Sequence, residues 1–108
     1  MQRIRIIREL NDQLRQYGIG GKVYITSGIQ ALEEWLGRAI ITTVREFDQF
    51  DQSNDPYGEH DMGAVDVAGT KAMWKIDYYD PSITYASDDP ADPQKTVRVL
   101  TIMLADEY

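Results

Sequence analysis

The sequence predicts an α+β domain in which a small antiparallel β-sheet packs against two or three α-helices. Three observations predict this fold. Residues 2–17 and a stretch that begins near Ser27 each show helical spacing of apolar side chains, and residues 60–79 contain two β-rich segments joined by a tight turn. A chain of 108 residues can build one domain with a modest core, so we expect a single domain over residues 1–108.

Residues 2–17 have the pattern of an amphipathic helix. Apolar side chains recur at steps of three and four residues, and charged side chains fill the opposite side. Gly18 follows, and glycine commonly ends a helix because it adopts left-handed backbone angles without steric cost. The sequence therefore predicts a helix with one buried stripe and one solvated face, the latter formed by Arg3, Arg8, Asp12 and Arg15.

A short strand and a second helix are predicted next. Lys22–Thr26 is rich in β-forming residues and is therefore predicted to be a strand. Ser27 and Gln30 have the spacing of a capping box, which predicts a helix from Ser27 to about Phe47, although Ala31 is an alternative start. The predicted buried stripe of this helix consists of Ile29, Leu32, Leu36, Ile40, Val44 and Phe47.

Residues 61–67 and 71–79 predict the two strands of a β-hairpin. Ala68-Gly69 is the predicted connection, because glycine supplies the positive φ that a tight hairpin turn requires. The resulting register pairs Asp66 with Lys71, Gly63 with Trp74, His60 with Asp77, and Glu59 with Tyr78.

The last segment is compatible with two structures. Asp92 as N-cap and Pro93 at the first helical position predict a closing helix. Its buried side would hold Val97, Leu100, Met103 and Leu104, but further apolar residues blur that stripe, so a strand over residues 97–104 is the alternative. We prefer the helix.

The formal net charge of −7 is unevenly distributed along the chain. Residues 48–92 carry eleven carboxylates against Lys71 and Lys75, whereas residues 1–25 are mainly basic. An acidic surface repels nucleic acid and favours a basic protein surface or a cation, so we expect no direct nucleic-acid partner. The alternative is that these aspartates serve solubility alone.

The sequence also bears on compartment and redox chemistry. It contains no cysteine, which excludes disulfides and thiol catalysis. No apolar run approaches the roughly 20 residues that span a bilayer, and the first residues are too polar for a secretory signal. We expect a cytoplasmic protein without membrane contact.

Residues 54–63 combine turn-forming residues with the only histidine and three carboxylates. The oxygen donors Asp55, Glu59 and Asp61, with His60, would suit a hard cation, but their spacing does not form a ready-made cage, so we expect no metal and no cofactor. His60 oriented by Asp77 could serve acid–base catalysis. We prefer a structural role, in which His60 bonds Asp77 and pins the hairpin to this stretch.

Three blocks of the sequence resemble a family of small, functionally unassigned proteobacterial proteins, often encoded on plasmids, phages or other mobile DNA. They are residues 54–63, 74–82 and 98–108, and the likeness extends over most of the chain. An aromatic residue is commoner in the family where this chain has Met62. The resemblance implies no activity. It implies a mobile-element setting, in which small acidic proteins that block host defence, such as anti-CRISPR proteins, are common.

The leading functional hypothesis is a non-enzymatic module that binds a basic protein surface, such as that of a nucleic-acid-binding defence effector. Tyrosines interleaved with aspartates suit protein contact, since they combine large rings with polar groups. The alternatives are a small metal-dependent or acid–base enzyme centred on residues 59–61, and a homodimer that pairs the basic first helix with the acidic half of a second copy. The expected binding face consists of Asp55, Tyr57, Glu59, Asp61, Asp77, Tyr79 and Asp80.

Overall fold

The structure is a computed structural model that describes residues 2–108, and it consists of a four-stranded sheet with helices on one face. The prediction of an α+β fold is confirmed. No helix within the described residues is both long and apolar enough to cross a bilayer. The elements in chain order are α1 (Gln2–Tyr17), β1 (Lys22–Ile25), α2 (Ser27–Gln30), α3 (Glu34–Arg45), β2 (Met62–Val67), β3 (Thr70–Tyr79), β4 (Val97–Leu104) and a 3₁₀ helix (Ala105–Glu107).

The strands lie in the order β1-β4-β3-β2, so that β4 and β3 are central. The β2–β3 pair is antiparallel, as expected; β3–β4 is also antiparallel, whereas β1 runs parallel to β4. The sheet is therefore mixed. A parallel pair requires a long connection, and here the segment between β1 and β4 contains α2, α3 and the whole hairpin.

The predicted hairpin register is confirmed from Met62 onward. Asp66 pairs with Lys71, and Gly63 pairs with Trp74. Ala68 and Gly69 both have positive φ, 52° and 84°, which is the geometry of the tight turn that matches strand twist. The turn between the two strands sets this register, so the register depends on residues that are close in sequence.

The predicted first helix is confirmed, including its end. Gly18 has φ of 69° and its N–H donates to the Leu14 carbonyl at 2.8 Å, as expected for a left-handed C-cap. One assignment on its polar face was wrong. Arg15 is only 2% exposed and lies inside the molecule.

The single helix predicted from Ser27 to about Phe47 is divided into α2 and α3. The predicted capping box does not form, because Gln30 Nε2 donates to the Ile25 carbonyl instead. The N-terminus of α2 is capped from the other end of the chain, since Glu107 accepts hydrogen bonds from the Thr26 hydroxyl and the Gly28 N–H. The start of α2 therefore depends on a contact about 80 residues away.

The preferred helix near the carboxyl terminus is wrong, and residues 97–104 form the alternative strand β4. Asp92 does accept a hydrogen bond from the Gln94 N–H, but it caps a turn rather than a helix. Arg98, Leu100 and Ile102 alternate on the buried side of β4, between two pairing strands. Neighbours on both edges outweigh the weak helical signals of this segment.

The core lies between the helices and one face of the sheet. Trp74 is completely buried at its centre, and its indole meets the Phe47 ring edge-on at 5.7 Å. The opposite face of the sheet carries the other alternating positions of β3 and β4. The buried apolar cluster consists of Leu14, Ile29, Ile40, Val44, Ala72, Trp74, Ile76, Leu100 and Ile102.

Candidate functional site

The segment between α3 and β2, residues 46–61, is a loop that its own polar side chains shape. Asp51 accepts hydrogen bonds from the Ser53 hydroxyl and from the backbone N–H groups of Ser53 and Asn54. These bonds favour the charged form and lower the pKa of Asp51. Asn54 closes the turn by donating to the Gln49 carbonyl and accepting from the Asp51 N–H.

Asp55 points inward and holds the second half of this loop. Its side chain is 5% exposed, and Oδ1 accepts the His60 N–H at 3.1 Å. His60 has φ of 55°, a left-handed conformation that costs about 1 kcal/mol or more in a residue with a Cβ. The bond from Asp55 helps to offset that cost, so Asp55 positions the loop.

His60 lies against α1 and not against Asp77 as predicted. Its Nδ1 is 2.8 Å from Asp12 Oδ1, and its ring stacks on Phe50 with centroids 3.7 Å apart. The left-handed backbone at His60 ends the strand pairing before this residue can face β3. Asp77 instead forms an ion pair with Lys75 at 2.8 Å.

Asn11 is the centre of a buried polar network that joins α1, the loop, β3 and β4. Its Nδ2 donates to the Glu59 carbonyl and to the Tyr78 hydroxyl, and its Oδ1 accepts from Arg98 Nε at 2.9 Å. The Tyr78 hydroxyl donates to Glu59 Oε1 at 2.7 Å. Burial and this bond to Glu59 raise the pKa of Tyr78.

Two arginines are buried in the same region. Arg15 donates to Asp12 and to the Phe47 carbonyl, and its guanidinium lies 5.2 Å from the centre of the Trp74 ring. Arg98 lies 5.2 Å from the Tyr78 ring centre and donates to the Pro90 carbonyl. Burial lowers the pKa of both arginines.

Sequence reasoning missed these residues, although signals were present. Asn11 is four residues after Ile7 and three before Leu14, which places it on the apolar stripe of α1. Arg98 alternates with Leu100 along β4, which places it on the inner face once that segment is recognised as a strand. A polar side chain at a position where the helix or strand periodicity calls for an apolar one is thus the signal for a buried network.

Asp55, Glu59 and Asp77 lie close enough for their charges to act on Asp61, and we call these four residues the carboxylate cluster. Burial raises the pKa of Asp61, and the nearby charges of Glu59, Asp55 and Asp77 raise it further. Tyr78 donates to Glu59, and Lys75 pairs with Asp77. Within residues 2–108, Asp61 has no cation as a partner.

The seven residues expected to form one binding face point in different directions. Tyr57 is 76% exposed at the tip of the loop, and Asp55 is turned inward. Tyr79 and Asp77 lie on the open face of the sheet, since they alternate with the buried positions of β3. Asp80 accepts from the N–H groups of Thr84 and Tyr85 and so shapes the next loop, and these bonds lower its pKa.

The polar residues do not make a metal centre. Within the part of the chain that the structure describes, no group of three or more histidine, aspartate or glutamate side chains is arranged to hold a metal ion. The arrangement instead supplies under-compensated negative charge beside exposed aromatic rings, which is a chemistry suited to a cationic side chain.

Comparison with known proteins gives a family but no activity. The model of a family described as "Protein of unknown function (DUF3768)" matches residues 25–107. No curated protein and no solved structure matches the chain significantly. The matched region contains the loop, the hairpin and β4, whereas the network residues on α1 precede it.

Proposed function

Because the chain belongs to the DUF3768 family of unknown function, whose model covers residues 25–107, we propose its function from the geometry of the loop. We propose that the protein is a non-enzymatic module that binds a basic protein surface. Asp61 and Asp77 supply charge, Tyr57 and Tyr79 supply aromatic contact, and Asp80 lies at the edge of this surface. Asp55 and Glu59 hold the loop in place beneath it.

The observation that carries the proposal is the state of Asp61. Burial of this carboxyl and the like charges near it disfavour its charged form and raise its pKa. A lysine or arginine from a partner would offset that effect, because an opposite charge at close range favours the charged form. The free protein therefore has a charge that a basic partner would satisfy.

The exposed rings supply the second ingredient of a binding surface. Tyr57 is 76% exposed in the loop that carries Asp55, Glu59 and Asp61, and Tyr79 is half-buried two residues after Asp77 on β3. Tyrosine is enriched among the residues that contribute most to protein interfaces, since its ring buries a large area and its hydroxyl remains satisfied. The charges would then steer the encounter, and the rings would hold the complex.

The class of partner follows from charge and setting. The net charge of −7 disfavours nucleic acid as a ligand and favours the basic proteins that bind it. We propose that the partner is a nucleic-acid-binding effector of host defence, whose basic groove this protein occludes. The mobile-element setting implied by the resemblance supports this choice.

A capture experiment tests the proposal. Tagged protein is incubated with extract of the native host at low salt, and retained proteins are eluted in steps of rising salt. We expect a basic protein to be retained and to elute as salt rises, because exposed charges are screened over about 8 Å at physiological ionic strength. A D61N/D77N variant and a Tyr57→Ala variant should each lose this protein.

A control variant matches the change in net charge. The double variant Glu46→Gln with Asp88→Asn also removes two negative charges, at exposed positions outside the carboxylate cluster. This double variant should retain the partner. Equal loss in both double variants would show that net charge alone acts, and a retained partner that resists high salt would contradict electrostatic steering.

A further inference from the structure

A cavity of about 150 Å³ lies between the helices and the sheet at its β1 edge. Leu14, Ile25, Ile41 and Leu100 contribute apolar side chains to its lining, and Arg15 and Arg45 contribute the two charged ones. None of the four residues of the carboxylate cluster lines this cavity.

Arg15 is one of the residues that line this cavity, and its guanidinium is incompletely satisfied. The residue is 2% exposed, and its two terminal nitrogens donate to Phe47 and Asp12. Its Nε is buried and has no acceptor among the described residues. A buried donor without a partner is uncommon in native proteins, because the donor loses its hydrogen bonds to water and gains none inside the protein.

Arg45 adds a second, unneutralised positive charge to the same lining. It is exposed in the last turn of α3, and it has no ion pair within residues 2–108. Arg38, seven residues earlier on the same helix, is by contrast paired with Glu34. The lining therefore combines apolar side chains with one buried and one exposed arginine.

We propose that this cavity binds a short aliphatic carboxylate. Its volume of about 150 Å³ equals the share of about five water molecules, which suits a branched acid with four or five carbons. The alkyl part fills the apolar walls, and the carboxylate accepts hydrogen bonds from the arginines. An inorganic anion would leave the apolar walls without contacts, and a neutral alcohol would leave the charge of Arg45 without a partner.

Titration of the full-length protein with isovalerate, followed by NMR chemical shifts of backbone amides, tests this assignment. We expect saturable shifts at Ile25, Ile41 and Leu100. Isovaleramide, which has the same shape without the charge, should bind at least about tenfold more weakly, the effect of losing about 1.4 kcal/mol. Acetate, which lacks the alkyl branch, should also bind more weakly.

Two variants and one control locate the site. Arg45→Gln should weaken isovalerate binding by about tenfold, and Ile41→Phe should abolish it by filling the cavity. Arg38→Gln, on the same helix outside the cavity, should leave binding unchanged. Near-UV circular dichroism establishes that each variant is folded; if Ile41→Phe does not fold, Arg45→Gln decides the result. Absence of saturable binding, equal binding of the amide, or binding unaffected by Arg45→Gln would overturn the assignment.

Discussion

At the scale of single residues, the loop that sequence reasoning singled out is held from beneath by side chains of α1. Asn11 contacts Glu59, Tyr78 and Arg98, and Asp12 contacts His60. A buried polar network of this kind specifies one arrangement when its members are satisfied, and it is costly when one member is removed. The free energy of folding and the shape of the loop therefore depend on the same few side chains.

Replacing Asn11 tests this dependence. Asn11→Ala leaves Arg98 Nε and the Glu59 carbonyl without their partner, so we expect the free energy of unfolding to fall by about 2–3 kcal/mol. Urea denaturation measures the change. Gln13→Ala, at an exposed position of the same helix, should change stability by no more than about 0.5 kcal/mol. Similar effects for both variants would contradict a special role for the network.

The carboxyl group of Asp61 has a predictable effect on pH dependence. Because its folded pKa is raised, the folded state binds this proton more tightly than the unfolded state does. Its contribution to stability therefore increases as pH falls from neutral through the folded pKa. Asp61→Asn should be at least as stable as the parent at pH 7. Between pH 7 and pH 5 it should not show the increase in stability that the parent shows. Asp88→Asn, at an exposed carboxylate, should follow the parent at both values.

At the scale of elements, the hairpin is the most self-contained part of the fold. Its turn and alternation are local, and the register that they specify is the observed one. Gly63 on β2 is its tightest point, since a Cβ built there would lie 2.7 Å from Trp74 Nε1 and 3.0 Å from the Phe47 ring. The Trp74 ring is completely buried, so it cannot move aside without disturbing the core.

A methyl group at residue 63 should therefore destabilise the protein. Gly63→Ala forces the Trp74 indole or the β2 backbone to shift, and overpacking of this kind typically costs about 1–3 kcal/mol. The midpoint of urea denaturation and the near-UV circular dichroism of the indole should both change. Ala64→Val, at the neighbouring exposed position of β2, serves as the control and should leave the near-UV spectrum intact.

At the scale of the whole molecule, contacts between distant segments hold the surface loops through ionised carboxylates. Asp89 pairs with Arg3, and Glu107 joins the closing 3₁₀ helix to the start of α2. Hydrogen bonds or ion pairs lower the pKa of these carboxyls and of Asp51 and Asp80. Their combined effect on stability has the opposite sign to that of Asp61.

The pH dependence of stability should show both signs. A lowered pKa contributes stability that is present above the unfolded value of about 4 and is lost as pH falls through the folded value. We therefore expect stability to rise first, as Asp61 takes up its proton, and to fall below about pH 4. Thermal unfolding followed by circular dichroism between pH 7 and 2.5 measures this profile. In Glu107→Gln the acid-dependent loss should be smaller, and stability unchanged down to pH 2.5 in the parent would contradict the role of these groups.

The sequence by itself determined the features that depend on near neighbours: α1 with its Gly18 cap, the strand β1, and the hairpin from Met62 to Tyr79. Tertiary structure decided the rest. Strand β4 exists because it has partners on both edges, α2 is capped by Glu107 from the far end of the chain, and His60 turns to Asp12 because the backbone leaves the strand there. Local patterns carry no information about such partners, since the energy that selects them appears only when distant segments meet.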